Sequence, residues 1–342
     1  MSSHTYTATR HSTVRLSDIA KQTGYSLATV SKVINGRDDV SEAAQQAISN
    51  ALRESGYVRR TTPSKQRNVI EIAFENFDNV WALEIMRGVM NEAKLHDLNV
   101  SIAEGGSRSH PNPSWLNRLI RHQTLGALLV FSNLSQDEQT KLQARGIPFV
   151  IFDPSGDPSP ETISVQADNW SGGLLAARHL LALGHQRIGI IMGPESMLCS
   201  RARFDGFTSA LAGAGISKDP ELIMEGDFTT AGGYAQAMAL LQEEKTRPTA
   251  IFAESDLMAM GVYEAARQLD IRIPQELSVI GFDDVQTSAF IGPPLTTIRQ
   301  PLRDMSAAAT RMILDASAGK QVTSLIMPTS LIIRDSVAAP LP

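Results

Sequence analysis

Three charged residues stand where strand-like apolar runs of this sequence end, in a combination that suits hydrogen bonding to vicinal hydroxyls. Asp153 and Asp283 each follow directly on such a run, and Arg203 comes shortly after a third. A carboxylate accepts hydrogen bonds from two neighbouring hydroxyls, and a guanidinium donates two parallel N–H groups. The three residues therefore indicate a site for a carbohydrate.

Four aromatic residues accompany these charges. Phe77 and Trp81 lie in a polar loop after the apolar run 69–74, Trp170 lies at the start of a Gly-rich helical stretch, and Phe228 follows an acidic turn. A flat aromatic face covers the apolar C–H face of a sugar ring, which strengthens the carbohydrate interpretation. For Trp81 and Trp170, packing between structural elements explains the residue type equally well, since tryptophans are highly buried in most proteins.

The elements that position these residues alternate along the chain. Strand-like runs span 69–74, 100–103, 127–131, 149–152, 188–192, 250–253 and 279–282, and helical stretches span 86–96, 115–122, 173–183, 203–214, 232–241 and 258–269. Such alternation predicts an α/β fold of parallel sheets flanked by helices. Ligands of such folds bind outside the carboxyl ends of the strands, which is where the polar residues stand.

The sequence argues against catalysis. Two carboxylates in a sugar site also occur in glycoside hydrolases. However, no G-x-S-x-G motif, phosphate-cradling loop or metal-spaced His/Cys set is found, and the seven histidines are scattered. Cys199 is the single cysteine, with no base paired to it nearby. We therefore expect no enzyme activity and no cofactor or metal.

The N-terminal segment 14–57 has the spacing of a helix-turn-helix followed by a third helix. Apolar residues at helical intervals predict two short amphipathic helices that share a small core. Gly24 permits the positive φ that ends the first helix, and Ser26 suits the cap of the second, from about Leu27 to Ile34. A third helix starts at Val40-Ser41-Glu42. Helical pairs with a glycine turn are common, so charge is needed to assign a role.

Charge separates this head from the rest of the chain. Residues 1–67 contain ten Lys or Arg and five Asp or Glu, a net charge of +5, whereas the whole chain carries −5. Residues 68–342 therefore carry −10. A basic module on an acidic body is typical of a protein that neutralises DNA phosphates with one domain only.

The residues of the head resemble a known family. The run L-S-D-I-A-K-Q-T-G-Y-S-L-A-T-V-S-K-V-I-N-G at 16–36 resembles the DNA-binding head of the lactose-repressor/galactose-repressor family of bacterial transcription regulators. Four further blocks match that family in order, at 178–194, 255–261, 278–284 and 293–300. The resemblance thus extends over nearly the whole chain.

The resemblance implies a three-helix helix-turn-helix domain joined to a two-lobed body of the periplasmic-binding-protein type, with the ligand in the cleft between the lobes. We expect the DNA-binding domain at 14–60, a linker at 61–68 and the effector-binding body at 69–337. The chain of such a body crosses three times between its lobes, which we place near Ser164, near Gln286 to Leu295 and near Thr323. The N-terminal lobe is then about 69–163 and 295–322, and the C-terminal lobe about 164–290 and 323–337.

Motif by motif, the resemblance also assigns functional residues. The family's effector-contacting arginine, cleft aspartate and stacking aromatic fall on Arg203, Asp283 and Phe228. Ser255 stands where sugar-responsive members often have asparagine, so one hydrogen bond to the ligand is expected to differ. The predicted effector site is Phe77, Trp81, Asp153, Trp170, Arg203, Phe228, Ser255 and Asp283.

In the second helix, the family's base-reading positions fall on Leu27, Ala28 and Lys32. Apolar Leu27 and Ala28 suit thymine methyl groups, and Lys32 suits the acceptor edge of guanine. We expect phosphate contacts from Ser26, Thr29, Ser31 and Asn35. One such head reads too little DNA for specificity, so we expect a homodimer on a near-palindromic double-stranded operator. No heptad segment follows Pro340, which favours a dimer over a tetramer.

The segment after the head departs from the family pattern. Members usually carry Asn-x-x-Ala-Arg-x-Leu, whose leucine enters the minor groove at the operator centre. Here Gly56-Tyr57 is followed by VRRTTPSKQRN, with no Leu, Ile or Met, a helix-disrupting Pro63 and four basic residues. We expect an extended segment that contacts the operator through phosphates or minor-groove arginines.

Three functions remain open at this stage. The first is a sugar-responsive repressor, with a mono- or oligosaccharide as effector. The second is the same architecture responding to a nucleobase or another non-sugar effector, because the family includes nucleobase-responsive members. The third is a sugar-binding or sugar-processing protein without a DNA role. The sequence has no apolar window of eighteen residues and no basic-then-apolar leader, so we expect a cytoplasmic protein that does not contact membranes.

Overall fold

The computed structural model describes residues 14–35, 37, 39–55, 57, 68–75, 77, 79–107, 110–111, 113–121, 124–130, 134–154 and 162–341. The expected linker features, including Pro63 and its four basic residues, lie outside the described residues.

The head consists of three helices, α1 (Leu16–Thr23), α2 (Leu27–Ile34) and α3 (Glu42–Ser55). Gly24 has φ 73° and ends α1, and the Ser26 side chain accepts a hydrogen bond of 3.1 Å from the Thr29 backbone N–H. Both local predictions are therefore confirmed. The buried core of the head is formed by Ile19, Val30, Val33, Ile34, Ile48, Ala51 and Leu52.

The first lobe is built on a parallel six-stranded sheet. Its strands are β1 (Val69–Phe74), β2 (Asn99–Glu104), β5 (Gly126–Val130), β6 (Phe149–Phe152), β7 (Ser164–Ala167) and β13 (Leu325–Met327), and a small hairpin adds β3 (Gly106–Ser107) and β4 (His110–Pro111). The sheet order is β13-β7-β6-β5-β1-β2. Its helices are α4 (Val80–Leu95), α5 (Pro113–Arg121), α6 (Gln136–Ala144) and α11 (Leu302–Ser317).

The second lobe repeats this plan. Its strands are β8 (Ile188–Met192), β9 (Ile223–Glu225), β10 (Ala250–Ala253), β11 (Ser278–Asp283), β12 (Thr296–Arg299) and β14 (Ser330–Ile332), in the order β14-β12-β11-β10-β8-β9. Only the β12–β14 pair is antiparallel among the described strands of this sheet. Its helices are α7 (Asn169–Ala182), α8 (Leu198–Gly213), α9 (Thr230–Leu241) and α10 (Asp256–Gln268), and 3₁₀ turns occur at Pro220–Leu222 and Gln286–Ala289. The predicted α/β fold with a helix-turn-helix head is confirmed.

The predicted lobe crossings need correction. β7 pairs with β6 in the first sheet, so the chain leaves that lobe after Ala167 and not near Ser164. β12 pairs with β11 in the second sheet, which moves the return to about Gln300, beyond the predicted window that ended at Leu295. β13 and β14 belong to different sheets, so the last crossing lies between Met327 and Ser330 and not near Thr323. The lobe to which a short strand belongs is decided by the strand it pairs with, which can be distant in the sequence. Local sequence patterns do not reveal that pairing.

The sequence analysis also missed α6 and α11 and began α4 and α8 too late. Asn79 caps α4 by accepting a hydrogen bond from the Ala82 N–H, so that helix starts before the predicted Met86. Trp81 and Arg203 therefore project from the opening turns of helices. No helix of the described residues is long and apolar enough to span a bilayer.

Candidate functional site

A cleft that encloses about 690 Å³, open solvent included, lies between the two lobes at the carboxyl ends of their strands. The first lobe lines it with Phe74, Glu75, Asn79, Trp81 and Val130, and the second with Arg203, Asp227, Phe228, Thr229, Ser255, Leu257 and Asp283. Apolar and aromatic side chains with a few convergent polar groups are the usual lining of a small-molecule site. The strand ends of the two sheets thus meet at a cleft, as the family resemblance implies.

Five of the eight predicted effector residues line this cavity, namely Trp81, Arg203, Phe228, Ser255 and Asp283. The other three lie elsewhere. Asp153 is buried beside Arg203 at the end of β6, with 1% exposure. Phe77 is exposed and packs against Phe74 with ring centroids 6.3 Å apart, and Trp170 is exposed on the first turn of α7.

Trp81 belongs both to the core of the first lobe and to the cavity lining. Its ring packs edge-on against Phe152 at a centroid distance of 6.0 Å, as part of the core of the first lobe. The same side chain forms part of the cavity lining. It therefore presents an aromatic surface that the lobe core holds in place.

Arg203 is held on several sides before any ligand arrives. Its Nε donates to Asn169 Oδ1 at 2.9 Å, and its Nη1 donates to the Glu254 carbonyl oxygen at 2.5 Å. The guanidinium carbon also lies 3.7 Å from the centroid of the Phe282 ring, a cation–π arrangement. These contacts fix the plane of the Arg203 guanidinium group. Its remaining N–H groups can therefore bind a ligand without further loss of side-chain conformational entropy.

A close approach of α7 and α8 makes this placement possible. A Cβ added at Gly173 would lie 1.9 Å from the Arg203 carbonyl oxygen. Real side chains never approach so closely, so any larger residue at position 173 must displace the backbone that carries Arg203. Gly173 is therefore a positioning residue for the site.

Three buried carboxyl groups surround this single guanidinium. Burial raises the pKa of Asp153 to about 6 and of Glu254 to about 8, while the charge of Arg203 opposes both shifts. Burial also raises the pKa of Asp283 well above its usual value, against the influence of Arg203. One positive charge cannot balance three negative ones, so part of the cluster is protonated near neutral pH.

Unpaired acceptors remain within this cluster. Asp153 Oδ2 and Glu254 Oε1 are buried and have no hydrogen-bond partner among the described atoms. Asp283 Oδ1 accepts a hydrogen bond of 3.2 Å from Gln300 Nε2, at the crossing between the lobes. The chemistry of the cluster therefore favours a ligand that donates hydrogen bonds over one that brings negative charge.

Glu254 is a site residue that sequence reasoning missed. Its Oε2 accepts a hydrogen bond of 2.9 Å from the Gly193 N–H, and a Cβ at Gly193 would lie 2.0 Å from the Phe228 ring. Glu254 thus anchors the turn on which the aromatic face of Phe228 rests. Its one signal in the sequence is a charged residue directly after the apolar run 250–253.

Backbone strain is concentrated at the same place. Asp153, Phe228 and Asp283 have φ of 47°, 64° and 118°, in the left-handed region that non-glycine residues seldom adopt. Such conformations cost free energy and persist where surrounding contacts hold them, most often at binding sites. These three are half of the six described non-glycine residues with positive φ, and all three are predicted effector residues.

Two neighbouring aspartates have structural partners instead. Asp256 accepts hydrogen bonds from the Val285 N–H at 2.9 Å and from the hydroxyls of Ser288 and Thr297, both at 2.6 Å. Asp284 forms ion pairs with two arginines, Arg299 at 2.7 Å and Arg334 at 2.5 Å. Both carboxylates connect turns and strands of the second lobe.

The predicted DNA-contacting residues form a second site on α2. Ser26, Leu27, Ala28 and Lys32 are exposed, whereas Thr29, Ser31 and Asn35 are half-buried, and Asn35 Nδ2 donates to Ser31 Oγ at 3.1 Å. Lys32 Nζ lies 2.7 Å from Asp39 Oδ2, so the one polar base reader predicted is engaged in an exposed ion pair. The open end of α2 is its N-terminus, the end that faces bases in helix-turn-helix proteins.

Comparisons with known proteins agree with the organisation into a DNA-binding head and a two-lobed body. Residues 15–60 match the family described as bacterial regulatory proteins, lacI family, and residues 177–337 match the periplasmic binding protein-like domain. The chain is 34% identical over 331 residues to the HTH-type transcriptional repressor CytR of Escherichia coli (strain K12), covering 95% of this chain and 96% of that protein.

Two solved structures resemble the whole molecule. The complex of the transcriptional regulator CelR with cellobiose matches with a TM-score of 0.72 at 29% identity, covering 94% of this chain and 99% of the other. The lac repressor dimer bound to operator and the anti-inducer ONPF matches with a TM-score of 0.71 at 28% identity, covering 96% and 100%.

Proposed function

The chain belongs to the lacI family of bacterial regulatory proteins, and we propose that it is a transcriptional repressor whose operator affinity is set by a neutral carbohydrate bound between its lobes. The single observation that carries the choice of ligand is the cavity around Arg203 and Asp283, with Trp81 from one lobe and Phe228 from the other. Polar groups that pair with hydroxyls and aromatic faces that cover C–H groups are the two requirements of sugar binding.

Charge further narrows the class of sugar. Arg203 already donates to Asn169 and to the Glu254 carbonyl, and the buried carboxyl groups around it outnumber it. A phosphorylated or acidic sugar would add negative charge where no second buried cation is described. The similarity to CelR, whose solved structure contains cellobiose, supports a neutral disaccharide as the first ligand to test.

A nucleobase or nucleoside is the second candidate. The two aromatic side chains come from opposite lobes, an arrangement that also suits a planar ring. The Asp283 carboxyl group, which lines the cavity, suits the N–H groups of such a ligand. Both candidates share the same cavity, so direct binding is needed to separate them.

The regulation follows from linkage. A ligand that contacts both lobes favours their closed arrangement, and closure moves the first lobe relative to its copy in a dimer. A homodimer is supported by large apolar side chains exposed on α4, Leu83 at 39% and Met90 at 54%, since exposed apolar groups in proximity mark association surfaces. The spacing of the two heads, and with it operator affinity, then depends on the ligand.

Thermal-shift measurements test this proposal. We expect cellobiose or another neutral sugar to raise the unfolding midpoint, because a ligand that binds only the folded state stabilises it. A matched set of phosphorylated sugars should produce no shift. A shift with adenine or cytidine and none with sugars would contradict the carbohydrate assignment and favour the second candidate.

DNA binding is tested separately. We expect the full chain to shift a near-palindromic duplex, with affinity that falls steeply as salt concentration rises, because phosphate contacts release counterions. Failure to bind any duplex at low salt would contradict the regulator assignment, even if a sugar binds.

A further inference from the structure

The head packs directly against α6 of the first lobe. Ala144, the last residue of α6, is 3% exposed and is the one residue from the body among the fully buried members of the head's described apolar core. Its methyl group shares that core with Ile34 and Ile48. The head therefore completes its core with a residue contributed by the body.

The next residue makes a polar contact with the recognition helix. Arg145 is buried at 7% exposure, and its Nε donates to the backbone carbonyl oxygen of Ile34, the last residue of α2. The last carbonyls of a helix have no partner within the helix, and they carry partial negative charge. A buried guanidinium there satisfies one of them, which makes Arg145 an external cap of α2.

A third contact lies at the other end of α6. Arg53 Nη1 of α3 is 3.6 Å from Asp137 Oδ1, and both side chains are 42% exposed. An exposed pair at this distance contributes little free energy. It marks how the head is oriented on α6, because it lies near the opposite end of that helix from Ala144.

The contact leaves the DNA-reading surface open. Leu27 is 52% exposed, and Ser26, Ala28 and Lys32 are exposed as well. The α6 contact involves the C-terminal end of α2, whereas the N-terminal end faces outward. A head docked in this way can still meet a major groove.

α6 also connects the head to the ligand cleft. Leu142 on α6 is fully buried in the core of the first lobe, so the helix moves with that lobe. The chain runs from Arg145 into β6, and Asp153 follows the end of β6 eight residues after Arg145. The head contact and a carboxyl group of the Arg203 cluster thus lie at opposite ends of one strand.

We propose that Ala144 and Arg145 form a head-docking site, through which the first lobe holds the recognition helix in a defined orientation by direct side-chain contact. The regulatory consequence rests on the proposed function: when ligand moves the lobe, the docked head moves with it. This route does not require a folded helix between head and body.

Limited proteolysis with trypsin tests the docking. The segment 58–67 contains Arg59, Arg60, Lys65 and Arg67, and cleavage there releases the head. We expect Ala144→Glu to accelerate release several-fold, because a carboxylate cannot enter the apolar core of the head. Gln143→Glu is the matched control: it places the same charge one residue away, on the exposed face of α6, and should leave the rate unchanged. Equal rates in the two variants would overturn the proposal.

The folded state of the variants needs its own measurement. Ala144→Glu should retain non-specific binding to a duplex at low salt and the unfolding midpoint of the body, since α6 remains anchored by Leu142. If low-salt binding is lost together with a lower body midpoint, misfolding explains faster cleavage. In that case Arg145→Leu, which removes the donor to the Ile34 carbonyl oxygen, must accelerate release for the proposal to stand.

Cross-linking identifies which head occupies the site. In a Cys199→Ser background, Arg53→Cys and Asp137→Cys place thiols on the two facing helices. A short bismaleimide should join them within one chain, giving a product of monomer mass. A product of dimer mass only, or none, would overturn docking of the head on its own lobe. Neither experiment uses an effector or an operator, so both outcomes are independent of the proposed function.

Discussion

The two cations predicted to carry recognition, Lys32 in the head and Arg203 in the cleft, are held in opposite ways. The Lys32 side chain is 48% exposed and pairs with Asp39 at 2.7 Å. Arg203 is 3% exposed and is fixed by Asn169, by the Glu254 carbonyl and by the Phe282 ring. Exposed charges are screened by water and salt, whereas buried ones act strongly and at fixed geometry.

The difference in exposure between Lys32 and Arg203 indicates how each site selects its partner. A DNA duplex arrives with its own dense charge, so an exposed and adaptable lysine is sufficient at the head. A small neutral ligand carries no such charge. Its hydroxyl groups bind well only to hydrogen-bonding groups that are already held in position in the unliganded site. Substitutions at both sites test this difference.

Arg203→Ala should have the largest effect. Removing the cation leaves buried carboxyl groups without their balancing charge, a change that typically costs about 3 to 5 kcal/mol. We expect ligand-induced stabilisation to vanish while operator binding persists. Thermal-shift and gel-shift assays measure the two, with Arg201→Ala on the same helix as control. Loss of operator binding as well would show that Arg203 supports folding rather than the ligand response.

Glu254→Gln should change the pH dependence of stability. In the folded state Glu254 has a pKa of about 8, above its value of about 4.5 in the unfolded chain. The contribution of this group to the free energy of unfolding is therefore full below about pH 4.5 and is lost as the pH rises through 8. The variant has no proton to release there. We expect its unfolding midpoint to fall less than that of the wild type between pH 5 and 8, as followed by circular dichroism. Parallel curves would contradict a protonated Glu254.

Gly173→Ala and Gly213→Ala should act in opposite directions. The first forces a Cβ against the Arg203 carbonyl, which should cost about 1 to 3 kcal/mol and weaken ligand binding. At Gly213, in the last turn of α8, a Cβ meets nothing within 4 Å. Alanine there should be neutral or stabilising by up to about 1 kcal/mol. Denaturant unfolding checks both values, and equal costs would contradict the close approach.

The smallest effects belong to the Lys32 pair. Lys32→Ala should relax preference at one base pair of each half-site, at a cost on the order of 1 to 3 kcal/mol. Asp39→Asn removes the competing carboxylate and should tighten DNA binding a few-fold at low salt, with no change at high salt. Binding to duplexes with single base changes measures both. A uniform loss across all duplexes would assign Lys32 to a phosphate instead of a base.

Where the sequence predicted a strand, the predicted limits lie closer to the structure than the predicted helix starts do, although β7, β9, β12, β13 and β14 were not predicted. The limits of β1, β6, β8 and β10 agree with the apolar runs, because strands buried on both faces are continuous apolar segments. α4 and α8 begin before their predicted starts. In α4 the first turn carries the Asn79 cap and Trp81 of the cavity lining, so its residues do not follow a purely apolar helical pattern.

The sequence by itself determined the local features: the turn at Gly24, the cap at Ser26, and the strand ends that place Asp153 and Asp283. Each depends on residues close together in the chain. Only the tertiary structure decided the lobe crossings, the partners of Arg203 and the docking of the head on α6. Asn169 and Glu254 are 34 and 51 residues from Arg203, and Ile34 is 111 residues from Arg145. Contacts over such separations depend on how sheets and helices pack, and local sequence patterns do not specify that packing.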